Sequence, residues 1–151
     1  MRARTIITVV VAAAAMSWSA PAFATSYGSA SSPIKIGSNG NGWFYGKVTI
    51  PQGTSMRNGY DYRDTGADGN PVYVQTNWYY WLPCEDGSAC YDGNASDQSP
   101  RIGTADGTRY STDYDPLDPR SDKGRAMTKV CEDQSWSPDP CSSKVIVTLS
   151  Y

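Results

Sequence analysis

Among its 151 residues the chain has no histidine. That absence excludes Ser-His-Asp and Cys-His nucleophile systems, each of which needs an imidazole to take a proton near neutral pH. Histidine-ligated catalytic metals are excluded with them. Glutamate is scarce too. Glu85 and Glu132 are the only two, each beside a cysteine, and nothing around them marks the raised-pKa acid of a glycosidase carboxylate pair. No window carries apolar residues at the 3, 4, 7 spacing over the length an amphipathic helix needs. The longest apolar run, Ile6 to Ala15 with only Thr8 breaking it, falls well short of the ~20 residues that cross a bilayer.

That run belongs to an N-terminal pattern of three parts. Arg2 and Arg4 form a positive start, the apolar run follows, and Ala22-Phe23-Ala24 supplies small residues at the positions a signal peptidase reads. Residues 1–24 are therefore expected to be a secretory leader cut before Thr25, which makes the mature protein secreted and extracellular, without membrane insertion. Losing Arg2 and Arg4 leaves 11 basic against 15 acidic residues, a net charge near −4. Such a balance argues against nucleic acid, whose phosphates call for a Lys/Arg-rich face, and against anionic membranes. Along the chain the two signs are interspersed, as on a solvated surface.

All four cysteines, Cys84, Cys90, Cys131 and Cys141, lie in the exported part. An even number in an exported chain points to disulfides. Three pairings are possible and sequence does not choose among them. The local pairs Cys84–Cys90 and Cys131–Cys141 are favoured because each encloses turn-forming residues. Zinc would need an all-thiolate site, and these spacings fit no common knuckle.

Residues 25–41 are rich in Ser, Gly and Asn, too poor in apolar surface to order themselves. They are expected to be a flexible arm carrying one strand-like motif, Ile34-Lys35-Ile36. Beyond them, residues 42–151 read as one disulfide-bonded β domain. Gly42 to Ile50 is β-branched and aromatic and ends at Pro51. Val72 to Leu82 alternates, with Val72, Val74, Thr76, Trp78, Tyr80 and Leu82 on one face. Shorter strands are expected at Thr108 to Thr112 and Ala126 to Cys131, and a closing strand at Lys144 to Tyr151. Asn58-Gly59 and Asp68-Gly69 read as turns inside a polar connection from Thr54 to Pro71. The class is all-β, a small sandwich or barrel with long irregular loops and two disulfides.

Two motifs carry possible chemistry. Asp64-Thr65-Gly66-Ala67 matches the short aspartic-protease signature, in which two carboxylates share a proton. It occurs once and follows Tyr62-Arg63 rather than a buried apolar strand, so a turn is the expected role. The groups Asp61, Asp64, Asp68 and Asp113, Asp115, Asp118, Asp122 offer oxygen ligands without the spacing of a calcium loop. No metal, cofactor or catalytic residue is assigned, and the chain is expected not to be an enzyme.

Binding surfaces are a different matter. The mature chain carries eleven tyrosines and four tryptophans against one phenylalanine, Phe44. Tyr and Trp combine apolar area with a polar handle and suit half-wet surfaces. With Trp78 and Tyr80 turned to the core, Tyr79 and Trp81 face outward, either as a recognition face or as a second buried layer. The segment Ile34-Lys35-Ile36, with Tyr27 nearby, could add as a strand to the sheet edge of another protein.

In outline, a leader, then an arm from Thr25 to Ile36, then a compact disulfide-bonded β domain from about Gly42 to Tyr151, the chain resembles the small adaptor (B) subunit of the umbrella toxin particles secreted by Streptomyces. The resemblance implies a non-enzymatic linker joining a large toxin polypeptide to lectin subunits of trypsin-like fold, with the arm engaging the lectin. Other classes compatible with the residues are a secreted protease inhibitor, with Cys84-Glu85-Asp86-Gly87 or Pro138-Asp139-Pro140-Cys141 as its loop, and a carbohydrate-binding module using Tyr79 and Trp81.

Overall fold

The computed structural model describes residues 23–37 and 41–151. Nearly all of the expected leader lies outside them. Nine strands form two antiparallel sheets packed face to face, and no α-helix occurs among the described residues. The strands are β1 (Phe23–Tyr27), β2 (Ile34–Lys35), β3 (Gly42–Ile50), β4 (Ser55–Asp64), β5 (Val72–Pro83), β6 (Ala89–Gln98), β7 (Thr108–Pro116), β8 (Lys123–Glu132) and β9 (Val145–Ser150). The first sheet runs β1-β3-β4-β7, with β2 also on β3, and the second runs β6-β5-β8-β9. Of the two all-β architectures expected, this is the sandwich.

Alternation decides what is buried. In β5 the expected inner set is buried throughout, with Trp78 and Val74 fully enclosed. Facing it from the first sheet are Phe44, Val48, Met56, Tyr60 and Tyr62, and Ala126, Val130, Val147 and Leu149 complete the core. Large side chains from both inner faces interdigitate, as sandwich cores do.

A polar belt crosses this core. Asn58 is fully buried; its Nδ2 donates to Thr76 Oγ1 and Thr128 Oγ1, both at 3.0 Å, and its Oδ1 accepts from Tyr27 OH at 2.7 Å. Thr76 Oγ1 in turn donates to Asp113 Oδ2 at 2.8 Å, and Tyr60 OH donates to the same oxygen at 2.9 Å. Burial pushes the Asp113 carboxyl up and the phenols of Tyr27 and Tyr60 well up. Among the described residues no buried side-chain polar atom lacks a partner, which keeps the desolvation cost of the belt covered.

The structure departs from the sequence expectations in four places. Asn58-Gly59 is not a turn but the middle of β4, because Asn58 finds three hydrogen-bond partners between the sheets. Between Asp92 and Asp122, where a strand is expected only at Thr108 to Thr112, the chain contributes most of β6 and all of β7. Both lie at sheet edges, where a polar sequence is tolerated if a neighbour supplies the ladder. The N-terminal segment, expected to be a free arm, adds two strands to β3. β1 covers the half of β3 from Gly46 to Ile50, and β2 covers Trp43 and Phe44. Finally, the side of β5 expected to be either a recognition face or a second buried layer is not uniform: Tyr73 is buried to 6% exposure beneath a loop, while Tyr79 and Trp81 are half-buried.

The disulfides are Cys84–Cys90 and Cys131–Cys141, the two local pairs. The first closes the β5–β6 hairpin. The second ties the end of β8 to the chain entering β9. Asp64, in the protease-like tetrapeptide, caps a turn: its Oδ1 accepts from the Gly66 N–H at 2.9 Å. Among the described residues no three metal-ligating side chains gather in one place.

Candidate functional site: the outer face of the second sheet

The residues expected to bind partners separate in the structure. Tyr27 and Ile36 are core residues, 7% and 5% exposed. Tyr27 leans on Phe44 with ring centroids 5.5 Å apart, and the Ile36 N–H donates to Gly42 O. Ile34 is half-buried opposite Phe44, and Lys35 is exposed opposite Trp43. The segment that could have joined a foreign sheet has found its strand partner at home. Its Ser/Gly-rich composition hid three well-spaced apolar side chains and an open edge on β3.

Tyr79 and Trp81, by contrast, remain on the outer face of the second sheet, half-buried, with no further layer over them among the described residues. Register brings their neighbours together. Trp81 pairs with Tyr91 across β5 and β6, and their rings meet edge to face at 4.8 Å. Arg125, paired with Tyr79 from β8, lays its guanidinium 3.5 Å from the Tyr91 centroid. Lys123 Nζ lies 5.8 Å from the Trp81 ring. Opposite Tyr79 stands Gly93, where a Cβ would meet the tyrosine ring at 3.3 Å; the bare backbone lets the ring lie down on the sheet. These cation–π and edge contacts hold the aromatic surfaces in fixed orientations. Beside Trp81, a groove of about 430 Å³ opens between Leu82, Pro83 and Ala89 and the loop Pro119 to Asp122. In that loop Arg120 holds the Asp118 carboxyl down at about 2.

At the other end of the same face the sequence reading missed a residue. The loop closed by Cys131–Cys141 carries Trp136, 99% exposed. Its frame is braced. Tyr73 OH donates to Asp139 Oδ2 at 2.7 Å, the Gln134 N–H donates to Asp139 Oδ1 at 3.1 Å, and Ser137 Oγ donates to Gln134 Oε1. Arg101 stacks 4.8 Å over the Tyr73 ring and pairs with Asp133. Burial, and then the Asp139 carboxylate, push the Tyr73 phenol up to about 12. A signal was present in the sequence: an indole between Ser135 and Ser137, inside a cysteine-bounded segment with prolines and no alternating partner, has no core to enter.

The two ends are joined by Gln75, Asn77, Met127 and Lys129, side by side on β5 and β8. From Tyr73 to Trp81 the strand spans roughly 26 Å at ~3.3 Å per residue. The face thus offers a middle strip of Gln75, Asn77, Met127 and Lys129, a braced loop bearing the exposed Trp136 at one end and an aromatic–cation cluster at the other. Its Trp, Tyr and Arg side chains are the residue types that anchor protein interfaces. No known family model matches the sequence, and no curated protein matches it.

Proposed function

We propose that this is a secreted, non-catalytic adaptor that binds protein partners through the outer face of its second sheet. The observation that carries the reading is Trp136, an almost wholly exposed indole on a loop that a disulfide and three side-chain hydrogen bonds hold in place. Solvating an indole is unfavourable in a monomer, and a loop backbone already braced spares part of the ordering cost of binding. The leader pattern and the two disulfides suit an extracellular setting. The partners implied by the resemblance, a lectin subunit of trypsin-like fold and a large toxin polypeptide, are the ones to look for. The contact assigned here is the outer face rather than the N-terminal arm, whose apolar side chains are occupied in the core.

The test is an affinity capture from the producer's culture medium with the tagged, exported protein, read by mass spectrometry. The expected result is a stoichiometric set of secreted partners whose affinity falls about 30-fold or more with Trp136→Ala, the loss of one ~2 kcal/mol hot spot. A protein that elutes alone sinks the adaptor reading. Capture of a single active protease supports the second reading, an inhibitor. The same loop favours that reading, since it offers one exposed aromatic side chain on a disulfide-closed frame.

A further inference from the structure

The outer face of the first sheet is built differently. Strand register places Lys35, Lys47, Arg57 and Arg63 on it, with Asp61 as the carboxylate in their midst. None of these four cations makes an ion pair among the described residues, whereas Arg101, Arg109 and Arg120 all do. Arg57 and Arg63 are roughly 20 Å apart along β4 at ~3.3 Å per residue, so the charge is concentrated at Lys47 and Arg57, which are near neighbours on β3 and β4. Two like charges without a carboxylate partner leave a local positive field. The chain as a whole is acidic, so the cluster is not a by-product of composition.

Between Lys47 and Arg57 lies a groove of about 360 Å³, floored by Thr49 and Gly59 and walled by Tyr110. Gly59 is needed there. A Cβ at that position would meet Tyr110 OH at 2.7 Å, so the missing side chain lets the tyrosine lie across the sheet. Thr112 Oγ1 donates to Tyr110 OH at 2.9 Å and steadies it, yet the ring remains 64% exposed. Tyr114, next to Arg57 in register, is 69% exposed. Flat aromatic rings beside unpaired cations make a surface for a ligand that is both anionic and able to stack.

We propose that this groove binds an anionic polysaccharide, with Lys47 and Arg57 holding a carboxylate or sulfate group and Tyr110 stacking on an adjacent sugar ring. An acidic peptide fits less well. The face of a sheet has already used its backbone donors and acceptors in the ladder, so a peptide lying on it leaves its own amides unmatched. A sugar ring brings C–H groups to the negative face of an aromatic ring and carries hydroxyls that water continues to solvate. This groove is on the side of the sandwich opposite the protein-binding face, so the two proposals stand or fall separately.

The experiment is affinity electrophoresis of the exported protein in native gels containing polygalacturonate, dextran sulfate, neutral dextran or polyglutamate. Retardation by polygalacturonate or dextran sulfate but not by dextran is expected, weakening with added salt. Which of the two retards more strongly separates a carboxylate from a sulfate ligand. Lys47→Gln with Arg57→Gln should weaken the effect about tenfold or more, and Tyr110→Ala several-fold, while Lys129→Gln on the opposite face leaves it unchanged. Circular dichroism checks that each variant is folded. The proposal is overturned by no retardation, by an equal loss with Lys129→Gln, or by indifference to Tyr110→Ala, which would reduce the effect to ion exchange. Stronger retardation by polyglutamate than by either polysaccharide would also overturn it, in favour of an acidic polypeptide.

Discussion

The two outer faces of the sandwich use the same residue classes to opposite ends. On the second sheet three cations are engaged by aromatic rings: Arg125 lies over Tyr91, Lys123 over Trp81 and Arg101 over Tyr73. On the first sheet Lys47 and Arg57 make no ion pair among the described residues and stand beside the exposed Tyr110 and Tyr114. Engaged cations rigidify a surface and lower its effective charge, which suits aromatic anchoring of a protein. Unengaged cations leave a field directed at solvent, which suits an anion. Each face also has a tyrosine lying over a bare glycine, Tyr79 over Gly93 and Tyr110 over Gly59. The shared device flattens an aromatic ring onto a sheet, and the neighbouring charges decide what the ring is for.

The largest effect should come from the belt that joins the faces. Asn58→Leu removes three hydrogen bonds and leaves Thr128 and Tyr27 short of a partner in the core. It should cost about 3 kcal/mol or more in urea unfolding and weaken both faces together. If only one face lost its binding, the two would not share a common frame.

Next in size, replacing Cys131 and Cys141 with serine should cost about 2–3 kcal/mol for a loop of this length. Partner capture by the second face should be lost with it, while polyanion binding by the first survives below the lowered melting point. Loss of both in the folded variant would break the comparison.

A smaller, pH-dependent effect follows from Tyr73. Its phenol is held neutral in the folded chain up to about 12, from an ordinary value of 10. The folded state therefore keeps its proton where the unfolded chain has released one, so stability is complete below pH 10 and declines as pH rises from 10 to 12. Tyr73→Phe should flatten that part of the decline which tyrosinate absorbance at 295 nm assigns to this ring. An unchanged profile would mean that the loop bearing Trp136 is not anchored through Tyr73.

The smallest effect is expected from Arg125→Ala. Loss of the contact over Tyr91 should lower stability by about 0.5–1 kcal/mol and loosen the Trp81 cluster, visible as a shift in tryptophan emission. Polyanion binding should not change.

Much of this was legible in the residues. The period-2 pattern of Val72 to Leu82 named its inner face correctly, and the strands beginning at Gly42 and near Lys144 fell close to where they form. Tyr79 and Trp81 were placed outward on the same evidence. The groove on the first sheet was partly legible as well: Trp43, Tyr45, Lys47 and Thr49 alternate outward, as do Arg57, Gly59, Asp61 and Arg63. What hid it was the reading of Asn58-Gly59 as a turn, which took β4 out of the sheet. Nor could linear interspersion of charge reveal that the carboxylates of Asp64, Asp113, Asp115 and Glu132 are drawn inward, leaving cations to dominate the outer faces.

Alternation is a property of the extended backbone itself, so the sequence alone determined which side chains share a face and made a β class with local disulfides the natural outcome. Which strands become neighbours, and in what register, depends on hydrogen bonds between segments far apart in the chain. Only those long-range pairings set Tyr110 over Gly59, Arg125 over Tyr91 and Asn58 between two threonines, and drew Tyr27 out of a polar arm into the core. Tertiary structure therefore decided the two surfaces, because each is made across strands and no single strand contains it.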